Sequence, residues 1–122
     1  MSTSGSPPDS VSDQAPDKAL DKAFDKEGFL RDLSAWSPEI AEQIALRESI
    51  VLTEAHWQVV EILRNYYQTY HIAPVTRVLI KIVKAALGPE KGNSIYLMQL
   101  FTGKAAKISA KIAGLPKPTN CD

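Results

Sequence analysis

The sequence predicts a mainly α-helical fold: a small bundle of about five helices, with a β-hairpin before it and a flexible C-terminal arm after it. Apolar residues recur every three or four positions through most of residues 38–113, which is the period of helices with one buried face. Capping residues, glycines and prolines divide this region into short segments. The final stretch, GLPKPTNCD, carries two prolines that prevent the last helix from continuing.

Composition limits both the size and the chemistry of the protein. The 122 residues suffice for one domain, and 44% hydrophobic and 23% charged residues with zero net charge are typical of a soluble globular protein. A single cysteine, Cys121, excludes an internal disulfide and a cysteine-cluster metal site, and it favours a reducing compartment such as the cytoplasm. We identify no signal peptide, and the apolar stretches are too short for a membrane span.

Charge and composition also suggest three regions. Residues 1–18 are Ser, Pro, Gly and Asp with little to bury, so we expect a disordered acidic tail. Residues 19–113 form the folded domain, and residues 114–122 form a mobile arm. The net charge is −5 over residues 1–46 and +5 over residues 47–122. The basic half either faces an acidic protein or a nucleic acid, or it is a solvated lysine-rich surface.

The segment ALDKAFDKEGFL, residues 19–30, predicts the hairpin, with its turn at Asp25–Gly28. Five helices follow, over residues 38–48, 53–70, 74–87, 92–101 and 104–113. Ser37 and Thr53 are expected to cap the first two helices, and Pro74 to start the third. Among the residues expected to face the core are Tyr70, Ala86, Ile95 and Met98.

Motifs for most enzymes are missing from the sequence. There is no phosphate-binding loop, dinucleotide fingerprint or nucleophile elbow. His56 and His71 are too far apart to ligate a metal from one helix, and His56 is best interpreted as a structural or capping residue. A nucleic-acid-binding alternative remains, because the helices at 53–70 and 74–87 are joined like a helix-turn-helix. The exposed basic residues that this alternative offers are few: Arg77, Lys81 and Lys84.

The C-terminal stretch favours a function for the cysteine. Gly114 ends the last helix, and Pro116 and Pro118 hold the chain in an extended path that ends near Cys121. Such a semi-rigid arm can place a thiol in the pocket of a partner protein. The alternative is an incidental cysteine near the end of the chain.

The ending KIAGLPKPTNCD closely resembles the C-terminal signature of the DsrC/TusE family of sulfur-carrier proteins. The resemblance spans residues 19–122 and includes DKEGFL, Trp36, IVLTEAHWQVVEILRNYY, PVTRVLIK and MQLF, in that order. It implies a small orthogonal helical bundle with an N-terminal hairpin and a mobile arm. It also implies that Cys121 carries sulfur as a persulfide without a metal or organic cofactor. Such a protein is a sulfurtransferase-like carrier rather than a turnover enzyme.

One departure from the family pattern indicates the branch. Members that act in dissimilatory sulfur metabolism carry a second cysteine eleven residues before the last, and Ala110 occupies that position here. The resemblance therefore favours the single-cysteine branch similar to TusE. That branch takes sulfur from a heterohexameric relay complex (TusBCD- or DsrEFH-like) and feeds a tRNA 2-thiouridylase. A sulfite reductase as acceptor, a regulatory role and direct contact with tRNA remain alternatives.

Basic residues near the arm are candidates for docking a partner. Arg77, in PVTR, matches a family position, and Lys104, Lys107 and Lys111 recur at helical spacing before Lys117 in the arm. They either form a basic docking face or belong to a solvated helix surface. Asp122 is a second departure from the family, and its charge beside Cys121 disfavours the thiolate.

Overall fold

The computed structural model describes residues 23–119 and confirms a mainly α-helical fold. The predicted tail at residues 1–18 and Cys121 lie outside these described residues. Within them, no helix is long and apolar enough to cross a membrane. A 3₁₀ turn, Leu33–Ala35, precedes five helices: α1 (Pro38–Arg47), α2 (Glu54–Tyr70), α3 (Thr76–Leu87), α4 (Ser94–Phe101) and α5 (Ala105–Ile112).

The starts of α1 and α2 follow the predicted capping chemistry. The Ser37 hydroxyl accepts a hydrogen bond from the Ile40 amide at 3.2 Å, with Pro38 at the first helical position. At the start of α2, the Thr53 amide donates to His56 Nδ1 at 3.0 Å. The other ring nitrogen, Nε2, therefore carries the proton and donates to the Leu100 carbonyl at 2.8 Å. His56 thus has the structural role predicted for it, and it links α2 to the end of α4.

The predicted turn at Asp25–Gly28 is present, but a hairpin of two strands is not shown in the described residues. Asp25 Oδ1 accepts from the amides of Glu27 and Phe29, both at 2.9 Å, and Gly28 has a φ of 91°. A single antiparallel bridge joins Phe24 to Leu30. The side chains of Phe24, Phe29 and Leu30 are buried, so the turn is held by the core beneath it.

Helix α5 lies at the centre of the bundle. It packs against α1, α2, α3 and α4, and seven of its eight residues are buried. Alanine and serine at positions 105, 106, 109 and 110 allow the surrounding helices to approach closely on several sides. The last helix is therefore the core of the domain rather than an amphipathic surface helix.

Four predicted core positions are wrong, and two helices, α3 and α4, start two residues later than predicted. Helix α3 begins at Thr76 because Pro74 is buried and Val75 is extended. Ala86 and Tyr70 are exposed, and Ile95 and Met98 are 66% and 46% exposed. Helix α4 is apolar nearly all round, so its sequence did not reveal that only Leu97 and Phe101 are buried, with Tyr96 and Leu100 packed at the edge of the core.

The C-terminus of α5 closes in a Schellman motif. The Gly114 amide donates to the Lys111 carbonyl at 3.1 Å, and the Leu115 amide donates to the Ala110 carbonyl at 2.9 Å. Gly114 has a φ of 78°, and a Cβ built on it would lie 2.4 Å from Trp36 Cδ1. Leu115, 2% exposed, is the apolar residue that usually accompanies this motif. The arm therefore begins at a glycine that both backbone and packing require.

We expect Gly114→Ala to lower the free energy of unfolding by about 2–4 kcal/mol, because it adds left-handed backbone strain to a clash with Trp36. Gly103→Ala is the matched control, since its φ is not in the left-handed region and no atom lies within 4 Å of its added Cβ. Urea denaturation measures both variants. Equal losses in the two would contradict the assigned role of Gly114.

Candidate functional site

The described part of the arm, residues 114–119, is packed on the domain at its base. Leu115 and Pro118 are buried and Pro116 is half-buried, whereas Lys117 and Thr119 are exposed. Cys121, the predicted sulfur-carrying residue, lies outside the described residues. The structure therefore defines where the arm leaves the domain and which side chains hold it there.

Two side chains cap the last carbonyls of α5 where the arm begins. Trp36 Nε1 donates to the Ile112 carbonyl at 2.9 Å, and Arg64 Nη1 donates to the Ala113 carbonyl at 2.7 Å. The Arg64 guanidinium also stacks on the Trp36 ring, 3.8 Å from its centroid. Because α2 contributes Arg64 and the segment before α1 contributes Trp36, two other parts of the domain fix the direction of the arm.

Arg64 is a partly buried arginine of α2. Partial burial lowers the pKa of its guanidinium, with no opposing effect from a nearby acid. Sequence patterns did not single it out, although a signal exists. Val60, Leu63 and Tyr67 are apolar positions of α2 with helical spacing, and Arg64 lies within the same stripe.

Lys107 of α5 and Lys117 of the arm share one carboxylate. Glu27, in the N-terminal turn, lies 3.3 Å from Lys107 Nζ and 3.1 Å from Lys117 Nζ. Hydrogen bonds from Lys117 and then from Lys107 lower the pKa of the Glu27 carboxyl. The turn, the last helix and the arm therefore meet at a single acidic side chain.

Lys111 is part of the domain interior. Its side chain passes beneath Gly28, its ammonium lies 5.3 Å from the centre of the Phe29 ring, and the residue is 7% exposed. It pairs with Glu48 at 2.8 Å. Breaking this pair by removing Glu48 would leave the buried Lys111 ammonium without its carboxylate, although Glu48 itself is only partly buried.

The five predicted docking residues fall into two groups. Lys107, Lys111 and Lys117 contact residues beside the arm, as described above. Arg77 and Lys104 are exposed at the starts of α3 and α5. Their sequence neighbours Thr76 and Gly103 line one small cavity of about 50 Å³, so Arg77 and Lys104 lie at the opposite end of α5 from the arm. A docking role for either group stays a prediction.

The position where some family members carry a second cysteine is fully buried here. Ala110 is 0% exposed, and its carbonyl accepts the Leu115 amide that begins the arm. No other cysteine occurs in the sequence besides Cys121. Cys121 is therefore the one thiol in this sequence.

A sulfurtransferase and two solved structures resemble this chain over most of its length. "Sulfurtransferase TusE" of Sodalis glossinidius is 50% identical over 95 residues, which are 78% of this chain and 88% of the relative. The solution structure of Allochromatium vinosum DsrC is 48% identical, with a TM-score of 0.74 over 81% of this chain and 88% of that one. The oxidized gamma-subunit of the dissimilatory sulfite reductase (DsrC) of Archaeoglobus fulgidus is 42% identical, with a TM-score of 0.70 over 81% and 90%.

The family comparison agrees with these similarities. The sequence profile described as "DsrC like protein" matches residues 18–121, which include the domain, the arm and Cys121. The match therefore runs from before the N-terminal turn to the cysteine. On this evidence the chain belongs to the DsrC-like family.

Proposed function

We propose that this protein is a sulfur-relay carrier that accepts sulfane sulfur on Cys121 and passes it to an acceptor in tRNA 2-thiouridine synthesis. The observation that carries the proposal is the construction of the arm. One cysteine lies seven residues beyond Gly114, whose position is fixed by a Schellman motif and by the caps from Trp36 and Arg64. The 50% identical relative named sulfurtransferase TusE supports the same activity.

The transfer needs only thiol chemistry. The Cys121 thiolate attacks the outer sulfur of a donor persulfide, R–S–SH, and forms a new S–S bond. The S–S bond of the donor breaks, and the donor leaves as a thiolate. Cys121 then holds –S–SH, and an acceptor thiolate collects the outer sulfur in the same way. Each step exchanges one S–S bond for another, so no external oxidant or reductant is consumed.

The partners follow from the branch of the family. Among the similar proteins, one is named for sulfur transfer and another as a subunit of a dissimilatory sulfite reductase. Ala110 in place of a second cysteine supports the single-thiol relay for this chain. We propose a persulfide-bearing relay complex as donor and a tRNA thiouridylase as acceptor.

The carrier activity predicts a gain in mass of about 32 Da, one sulfur atom, after incubation with a cysteine desulfurase, the relay complex and cysteine. Intact mass spectrometry measures the gain, and dithiothreitol should reverse it. Cys121→Ser should abolish the gain without changing the circular dichroism spectrum. A gain of equal size in Cys121→Ser would place the sulfur elsewhere and overturn the proposal.

Asp122 places a negative charge next to the reacting sulfur. We expect Asp122→Val to lower the pKa of the Cys121 thiol, because a neighbouring negative charge disfavours the thiolate. The rate of iodoacetamide alkylation against pH, at low ionic strength, measures the change. The difference between the variants should shrink at high salt as the charge is screened. Identical pH profiles at low salt would exclude this effect of Asp122.

Glu27 is expected to tether the base of the arm in a pH-dependent way. Because hydrogen bonds from the two lysines lower its pKa, the tether is fully present above the ordinary glutamate pKa and is lost as the pH falls through the lower value of the folded protein. The backbone amide signal of Lys117, followed by NMR from pH 6 downwards, should report this transition. Glu27→Gln should remove the transition, whereas Glu39→Gln, at an exposed position of α1, should leave it in place. Persistence of the transition in Glu27→Gln would contradict the tether.

A further inference from the structure

A groove beside the base of the arm has no role in the proposed transfer of sulfur. The segment containing Trp36 and Pro38 forms one side, one face of α2 forms the other, and the groove encloses about 450 Å³. Trp36 and Trp57 line it, together with the buried side chain of Val60. We call this feature the tryptophan groove. Both tryptophans are only partly buried, so their remaining aromatic surface is open to a ligand.

Arg64 supplies the tryptophan groove with a cation for a negatively charged ligand, while the groove's own carboxylate, on Glu61, is exposed. Arg64 lines the groove, and its guanidinium uses one N–H donor for the Ala113 carbonyl. A guanidinium has five such donors. Among the described residues, no carboxylate forms an ion pair with Arg64, although burial has removed part of its water. A partly buried guanidinium with unused donors favours a carboxylate, which accepts two parallel hydrogen bonds from it.

We propose that the tryptophan groove docks a partner protein through a short segment that carries an acidic side chain next to an apolar one. The apolar side chain packs between Trp36 and Trp57, and the carboxylate binds Arg64. The volume of the groove suits a few side chains rather than a whole domain. That the partner belongs to the sulfur relay rests on the proposed function, whereas the binding chemistry stands on the groove itself.

Docking at the tryptophan groove is coupled to the arm through Arg64. The same guanidinium that binds the partner's carboxylate also holds the last carbonyl before Gly114. A bound carboxylate fixes the guanidinium and so restricts the base of the arm. A partner seated here therefore holds the arm in one orientation relative to itself.

Two peptides test the recognition directly. N-acetyl-Leu-Asp-Leu-amide and N-acetyl-Leu-Asn-Leu-amide differ only in the charge offered to Arg64. Each is titrated into the ¹⁵N-labelled full chain, and the indole N–H signals of Trp36 and Trp57 report binding. We expect both signals to shift saturably and the aspartate peptide to bind about fivefold more tightly or better. Equal affinity for the two peptides, or no shift of either indole, would overturn the proposal.

Three variants at exposed positions keep the test independent of folding. Gln68→Glu places a carboxylate one helical turn from Arg64, where it competes for the guanidinium and should weaken binding of the aspartate peptide. Glu61→Gln removes the groove's own acidic side chain and should strengthen it. Lys81→Gln changes the net charge by the same amount as Gln68→Glu, but on α3 outside the groove, and should have no effect. If Gln68→Glu and Lys81→Gln weaken binding of the aspartate peptide equally, the preference for this peptide comes from the net charge of the protein, and the proposed site is wrong.

Two other occupants are outcomes of the same titration. A second copy of the chain would appear as concentration-dependent shifts of the two indole signals without peptide, and those shifts would overturn the assignment to a partner. The chain's own acidic end would appear as tighter peptide binding in Asp122→Asn, with the same consequence. Cys121→Ser leaves the groove intact, so it should bind the peptides like the wild type. Failure of the peptides is thus separate from failure of the persulfide measurement.

Discussion

The structure depends on satisfying the buried C-terminal end of α5. The last carbonyls of a helix have no partners within it, and leaving them unpaired in a protein interior is costly. Here each has a donor. The amides of Leu115 and Gly114 donate to the carbonyls of Ala110 and Lys111. The side chains of Trp36 and Arg64 donate to the carbonyls of Ile112 and Ala113. Because Trp36 and Arg64 come from separate parts of the chain, all four carbonyls have donors only when the bundle has assembled.

Much of the helical architecture followed from local chemistry that the sequence displays. Ser37-Pro38 and Thr53 mark helix starts because their hydrogen bonds are made within one turn. The environment of α5 could not be inferred in the same way, since three of the four helices that enclose it, α1, α2 and α3, are distant in sequence. Its alanines at 105, 106 and 110 were the available signal, because small residues permit close packing on several sides. Regularly spaced lysines suggested a surface helix instead.

In the candidate site, too, the features that depend on local chemistry can be inferred from the sequence, and the long-range contacts cannot. The sequence predicts the thiol site and the extended arm, because prolines act locally and the C-terminal motif is distinctive, and both stay predictions. The partners of the lysines could not be predicted, since Lys111 meets Glu48 and Lys117 meets Glu27 across long sequence separations. The helical periodicity of the sequence does not indicate which distant lysine and glutamate residues will pair. The only sequence signal for Arg64 is that it is a charged residue within an apolar stripe. This residue contacts the base of the arm and also lines the tryptophan groove.

In the proposed function, the burial of Leu115 and Pro118 limits how far from the domain Cys121 can reach. Measured from Pro118, Cys121 is three residues away and reaches at most about 11 Å, whereas measured from Gly114 it reaches at most about 25 Å. A partner with a shallow active site can therefore be served while the base of the arm stays packed. A deep active site requires both side chains to leave the domain, which exposes apolar surface. The depth of the channel therefore discriminates between partners. A partner with a deep channel is served only if that channel offers its own apolar contacts to Leu115 and Pro118.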